Sequence, residues 1–136
     1  MFRLLLLLCL SFVSCSVRDS THFQEKSRHK TEELIRELQV IDCLEDIIQR
    51  ADRFKTLYLE LTSLSIEIQK YQKKHKTQWE LEAEDVALSD ELRFEFMRIY
   101  KILGAKELME KYQMSALVSL DAFEKKEARF HTFLQS

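Results

Sequence analysis

The sequence predicts an all-α protein: an antiparallel three-helix bundle, one long helix and two shorter ones, behind an apolar leader and a polar tether. Three observations carry that prediction. Apolar residues recur at steps of three and four over most of residues 31–136, the spacing of a helix face. The chain has one Gly, no Pro and no Asn, so it lacks the residues that build the tight turns of a sheet-rich fold. Hydrophobic residues make up 46% and charged residues 32%, the composition of a chain that folds. At 136 residues it is one domain's worth. With 21 Lys and Arg against 23 Asp and Glu, it has none of the basic excess that marks nucleic-acid binding.

Residues 1–14 form the leader. Met1, Phe2 and Arg3 begin it with one positive charge, Leu4 to Val13 is apolar except at Ser11, and Ser14, Cys15 and Ser16 are small. This is the charged, apolar, small-residue order of a secretory signal peptide. The run is roughly half the length that a bilayer-spanning helix needs, and no later stretch is apolar enough to span. The segment Phe12-Val13-Ser14-Cys15 resembles the lipobox of bacterial lipoproteins, with Phe12 standing where that family carries Leu. The resemblance implies a diacylglyceryl group on Cys15, cleavage just before it, and a mature chain held on a membrane by its lipid. Ser16 in place of Asp then favours the outer membrane. The competing reading is cleavage without lipid, giving a soluble secreted or periplasmic chain of chaperone-like or effector-like character. Cleavage after Cys15 or Ser16 removes Cys15; if it falls before Cys15 without lipidation, Cys15 and Cys43 are available to pair, since Cys9 leaves with the leader. Two cysteines do not make a disulfide framework.

Residues 15–30 show no hydrophobic period, and Phe23 is their one large apolar residue after Val17. They read as a polar tether or as a frayed first helix. His22 and His29 stand seven apart, two helical turns, too far to share a metal ion. Thr31 is placed as an N-cap, with Glu32 and Glu33 in the first turn. The domain proper, residues 31–136, opens with a helix whose stripe is Leu34, Leu38, Ile41, Leu44, Ile48 and Ala51, then Phe54, Tyr58, Leu61, Leu64, Ile68 and Tyr71. At about 100° per residue the two halves of this stripe fall on opposite sides. No Gly or Pro marks a break, so the expectation is one helix about 60 Å long, carrying a stripe that winds around it. Where the stripe changes side, Ala51, Phe54, Leu57, Tyr58 and Leu61 form the candidate partner-binding face.

Lys70, Lys73, Lys74 and Lys76 end that helix, and Glu80, Glu82, Glu84 and Asp85 begin the next; both placements complement helix dipoles. Thr77-Gln78-Trp79-Glu80 fits a capping box, so the connection falls near 75–77. The next stripe is Leu88, Leu92, Phe96, Ile99 and Leu103, with Ser89 as a possible second N-cap. Gly104 follows it as a turn. The third helix runs from about Lys106 to Phe133, with Met109, Tyr112, Ala116, Leu120, Phe123, Phe130 and Leu134 as its core stripe.

Catalytic and metal-binding patterns are missing. There is no G-x-S-x-G, H-E-x-x-H, C-x-x-C or calcium-loop spacing. His131 has no neighbour in sequence to orient it, and Cys43 reads as a small buried hydrophobe. The expectation is therefore a non-enzymatic chain with no cofactor, metal or nucleic acid. It is a helical binding or scaffold module of the cell envelope, attached to the membrane through lipid on Cys15. Its partner is a protein or a second copy met through helix faces. A further class, reading anionic lipid, would use Lys70 to Lys76.

Overall fold

In the computed structural model the described residues are 20–76 and 80–135; helices joined by short turns make them up, with no strand among them. The leader, Cys15, the first residues of the tether, and Thr77, Gln78 and Trp79 of the expected capping box lie outside the described residues. Five helices follow one another: α1 (Ser20–Gln39), α2 (Leu44–Gln49), α3 (Ala51–His75), α4 (Ala83–Ile99) and α5 (Ala105–Gln135).

The tether is helical from Ser20, and the expected N-cap at Thr31 lies inside α1. The Thr31 hydroxyl donates to the Ser27 carbonyl at 2.9 Å, a bond one turn back that satisfies it within a helix. Ser27 and Thr31 are both buried, so the inward face of α1 begins with small polar side chains before Leu34, Ile35 and Leu38. That is why hydrophobicity alone hides its first half.

The expected single long helix is broken twice. α1 stops at Gln39, and α2 is a six-residue helix that hands over to α3 at Arg50. Two devices hold the first break. The Asp46 carboxylate accepts from the backbone N–H of Asp42 at 2.9 Å and of Cys43 at 3.1 Å, capping α2. The Arg98 guanidinium, from α4, donates to the carbonyls of Leu38, which also accepts the Ile41 N–H at 3.1 Å, and of Ile41, both at 2.7 Å, and so ties the end of α1 and the following turn to α4. The break shifts the register. Ile47 is buried where Ile48 was expected, and Cys43 is exposed at the break rather than buried.

Cross-helix contacts fix the directions. Phe23 lies 5.3 Å from Tyr71, Lys30 pairs with Glu60 at 3.0 Å and Arg50 with Glu37 at 2.7 Å, so α1 and α3 are antiparallel. Arg28 meets Asp85 at one end of α1 while Arg98 meets Leu38 and Ile41 at the other, so α1 and α4 are parallel. The α3 pairings of Lys55 with Tyr112 and Lys70 with Phe123 make α3 and α5 parallel. The chain therefore runs up, down, up and down. One end, the lower, gathers the start of α1, the end of α3, the start of α4 and the end of α5. The upper end holds α2 and the α4–α5 turn.

α3 lies between α1 and α5, so its buried positions, Phe54 to Ile68, cover an arc of about 160° at 100° per residue. The winding stripe is thus a helix with packing on two sides. The main core joins Leu34, Leu38, Phe54, Tyr58, Phe96 and Met109 with their neighbours in the upper two-thirds. A second small cluster, Leu64 and Ile68 with Phe23 and Tyr71 against it, holds α1 to α3 lower down. α4 is one helix from Ala83, so Ser89 caps nothing. Gly104 has φ +82°, the left-handed conformation that turns the chain into α5, as its position implies.

Candidate functional site

The residues expected to form the partner-binding face lie inside the protein. Phe54, Leu57, Tyr58 and Leu61 are at most 3% exposed and Ala51 is half-buried. Each is used in packing α3 against its neighbours, so none is available to another chain in the folded state. Other side chains that the sequence suggested for the core are outside it. Leu103 is exposed, and Phe130 and Leu134 are exposed at the end of α5. Beside Phe130, α3 presents Lys73 rather than an apolar side chain, and α5 runs on past that level to Gln135.

The ionisable groups gather into ties between helices. Arg28 is the largest: its guanidinium bonds Asp85 at 2.6 Å, Glu82 at 2.9 Å and Glu84 at 3.2 Å. Asp85 is buried, and its other contact is the backbone N–H of Glu82 at 3.0 Å, which caps α4. The bond to Asp85 is the main reason that Arg28 holds its proton more strongly than an ordinary arginine. Glu33 is drawn below its usual range chiefly by Lys30, whose own affinity for its proton rises in return. Lys73 pairs with Glu127 across α3 and α5, and that bond lowers Glu127 in the same way. These are structural pairs on helix seams, and none opens onto an enclosed cleft.

The histidines are dispersed among the described residues. His75 stacks on Tyr71 at 4.3 Å, His22 lies 6.0 Å from Phe23, and His29 faces Glu33 at 3.4 Å. No group of three His, Cys, Asp or Glu among the described residues is placed to hold a metal ion. An open groove of about 400 Å³ runs between α1 and α3, lined by Lys26, Lys30, Thr56, Leu59, Glu60 and Glu67. Its walls alternate in charge, so no single ligand charge is selected.

What remains is exposed apolar surface, chiefly in three places, one of them the upper end with Val40, Ile48 and Leu103. On the outward faces of α4 and α5, Phe94 and Met97 are exposed by 64 and 61%, and Met114 and Val118 by 57 and 60%. At the lower end Phe130, Phe133 and Leu134 are exposed by 52, 77 and 65%. The sequence signal for the first set was present but unused: Phe94 and Met97 stand three apart, Met114 and Val118 four apart, each pair off the core stripe of its helix.

No protein-family model, curated protein or solved structure matches the chain.

Proposed function

We propose that the chain is a non-enzymatic lipoprotein of the cell envelope, a helical binding or scaffold module anchored through Cys15. The carrying observation is the exposed apolar surface on the outward faces of α4 and α5, Phe94 with Met97 and Met114 with Val118. Exposed apolar side chains at helical spacing are what a partner helix or a second copy buries. No described helix is long and apolar enough to cross a membrane, so attachment in this reading falls to the lipid.

The fate of Cys15 is supported by a distance argument. α1 carries the chain about 28 Å from Ser20 to Gln39 at 1.5 Å per residue. Cys43 lies beyond that far end. Ser20 follows Cys15 by five residue steps, which reach about 17 Å at full extension. A bridge between Cys15 and Cys43 within one chain therefore requires α1 to unravel, so acylation of Cys15 does not compete with that pairing.

The test is the intact mass of the protein made in a bacterial host shown to process a control lipoprotein, beside Cys15→Ser. A chain starting at Cys15 with the added mass of acyl groups, absent from the variant, supports the anchor. An unmodified mass sinks it and leaves the soluble exported reading. A photocrosslinking residue in place of Phe94 tests the module. Discrete adducts there, absent with the probe at exposed Glu25, are expected; identical patterns at both positions would reject the α4–α5 surface.

A further inference from the structure

We infer that the outward face of α4 is an interface with a second copy of this chain, in which the two α4 helices pack antiparallel about a two-fold axis. The inference rests on the reading of that face as a binding surface and names its occupant. It is independent of the fate of Cys15.

Four side chains carry it. Asp90, Phe94, Met97 and Lys101 follow one another at steps of four, three and four. At about 100° per residue they fall within an arc of about 60°. Leu92, Phe96 and Ile99 take the opposite side and are buried, so the four point away from the bundle. Phe94 and Met97 are exposed by 64 and 61%, with exposed Asp90 and Lys101 at either end of the pair. Lys101 stands just past the end of α4, and Tyr100 before it keeps right-handed helical dihedrals, so the stripe runs through to it.

A two-fold contact demands self-complementarity: where one residue meets another of the second copy, that other meets the first in return. The steps of four, three and four read the same in both directions. Laid against itself in reverse about the midpoint of Phe94 and Met97, the stripe sets Phe94 on Met97 of the second copy and Asp90 on its Lys101, each contact made twice. A sulfur against a ring is favourable, and both end pairs are of opposite charge. Parallel pairing would set Asp90 on Asp90 and Lys101 on Lys101. A bilayer is a poor occupant, because the Asp90 carboxylate sits between Ala87 and Phe94, in the middle of the apolar side chains.

The rest of the face agrees with this register. Exposed Ala83, Val86 and Ala87 continue the stripe toward the start of α4. They run past the end of the other α4, where Leu103 of the second copy, exposed by 94%, comes level with Leu88, beside Ala87. On one flank Glu91 lies within about 3 Å, along the axis, of the level of Arg98 of the second copy. On the other flank Arg93 keeps its own Asp90 at 3.1 Å. The two Arg93 stand about 7.5 Å apart along the axis. A carboxylate has acceptor sites for two such partners, so Asp90 can hold Arg93 and meet Lys101 of the second copy.

The experiment is sedimentation equilibrium of the Cys15→Ser chain, which carries no lipid to drive association, beside Asp90→Lys and Lys101→Asp made in it. Parent and variants share one N-terminus. Each single exchange turns both symmetry-related attractions into repulsions. A concentration-dependent dimer is expected for the parent, with self-association about tenfold weaker in each single variant. An equimolar mixture of the two single variants, and the chain with both exchanges, are expected to recover the parent's association, since every facing pair is again of opposite charge. Recovery in the doubly exchanged chain also shows that neither exchange acts by unfolding it. A chain monomeric at every concentration, a dimer indifferent to the single exchanges, or one that the double exchange fails to restore would each overturn the inference. A photocrosslinking residue in place of Phe94 separates it from the reading beneath. Adducts of twice the chain mass are expected. Adducts only to a different protein would keep the face as an interface and reject the second copy; no adducts at all would reject the face and the inference together.

Discussion

From Met109 to Leu120, α5 buries Met109, Tyr112, Gln113, Ala116 and Leu120. From Phe123 to Leu134 it repeats the same apolar spacing, yet no described residue there is fully buried. The upper half of α5 belongs to the main core, with α3 and residues of α1 and α4 around it. The lower half meets α3 through Lys70 and Lys73, whose ammonium groups lie over Phe123 and Phe130. Periodicity therefore specifies which side of a helix is apolar, while the lengths of its neighbours decide whether that side is covered. One helix can act as scaffold in its first half and as a presented surface in its second.

The largest test of this contrast compares one deletion in each half. Phe54→Ala removes a fully buried ring from the main core and is expected to cost about 3–5 kcal/mol. Leu134→Ala is expected to change stability by less than about 0.5 kcal/mol. Urea denaturation midpoints measure both. Similar losses at the two sites would mean that the lower half is packed as tightly as the upper.

The second test asks what holds the lower end in place of a core. Asp85→Ala leaves Arg28 without its shortest partner and removes the cap of α4. Breaking a buried pair on one side costs about 3–5 kcal/mol, and the partly solvated edge of Arg28 puts the expectation near 3. Amide exchange should quicken first at the start of α1 and of α4. If the loss were spread evenly over the bundle, the pair would not be a local tie.

The legible part of this architecture follows the same division. Helical class, the turn at Gly104 and the span of α5 were readable, because each is written in local spacing or in a backbone preference. The break after Gln39 was not, since it is held by Arg98, 57 residues from Ile41 and 60 from Leu38, which donates to the carbonyls of both. The start of α1 was hidden by Ser27 and Thr31, which pack without being hydrophobic. The candidate surface was misplaced for a related reason. A stripe that changes side suggests an exposed seam, whereas α3 is flanked on two sides and buries both. Whether an apolar residue meets water is a tertiary fact, and spacing along one helix does not contain it.

The third test uses pH to address the two kinds of stabilisation separately. Burial raises Tyr58 and Tyr100 above the ordinary tyrosine value of 10.0, Tyr58 despite the nearby Gln113 amide, which favours its ionised form. Each phenol stays neutral in the folded chain and ionises first in the unfolded one. Their contribution is complete below pH 10 and declines above it by about 1.4 kcal/mol per pH unit for each tyrosine. Tyr58→Phe should reduce that slope. It should cost little at neutral pH, because Tyr58 Oη and Gln113 Oε1 have no well-formed hydrogen bond. The carboxylates act in the opposite sense. Glu33 and Glu127 are held below their usual value of 4.5, so their contribution is present above that pH and is lost as pH falls through the folded value. Alkali therefore attacks the core and acid the seams, which stability curves of the two single variants Tyr58→Phe and Glu127→Gln should separate.

The smallest effects compare the two ends through their backbones. Gly104 at the upper end and Lys76 at the lower both take positive φ, +82° and +51°. A side chain in that region costs about 1–2 kcal/mol relative to glycine. A Cβ on Gly104 would sit 3.6 Å from Leu44 Cδ2, an ordinary contact, so Gly104→Ala is expected to lose only the backbone part, about 1 kcal/mol. Lys76→Gly removes the same cost from the end of α3, where the Lys76 N–H closes the helix on the Gln72 carbonyl. It is expected to gain about 0.5–1 kcal/mol, less what the last turn loses in charge against the helix dipole. The opposite signs are the content of this prediction. A loss at Lys76 would show that its ammonium group stabilises the lower end more than its conformation strains it. That outcome would place lysine there as a structural charge.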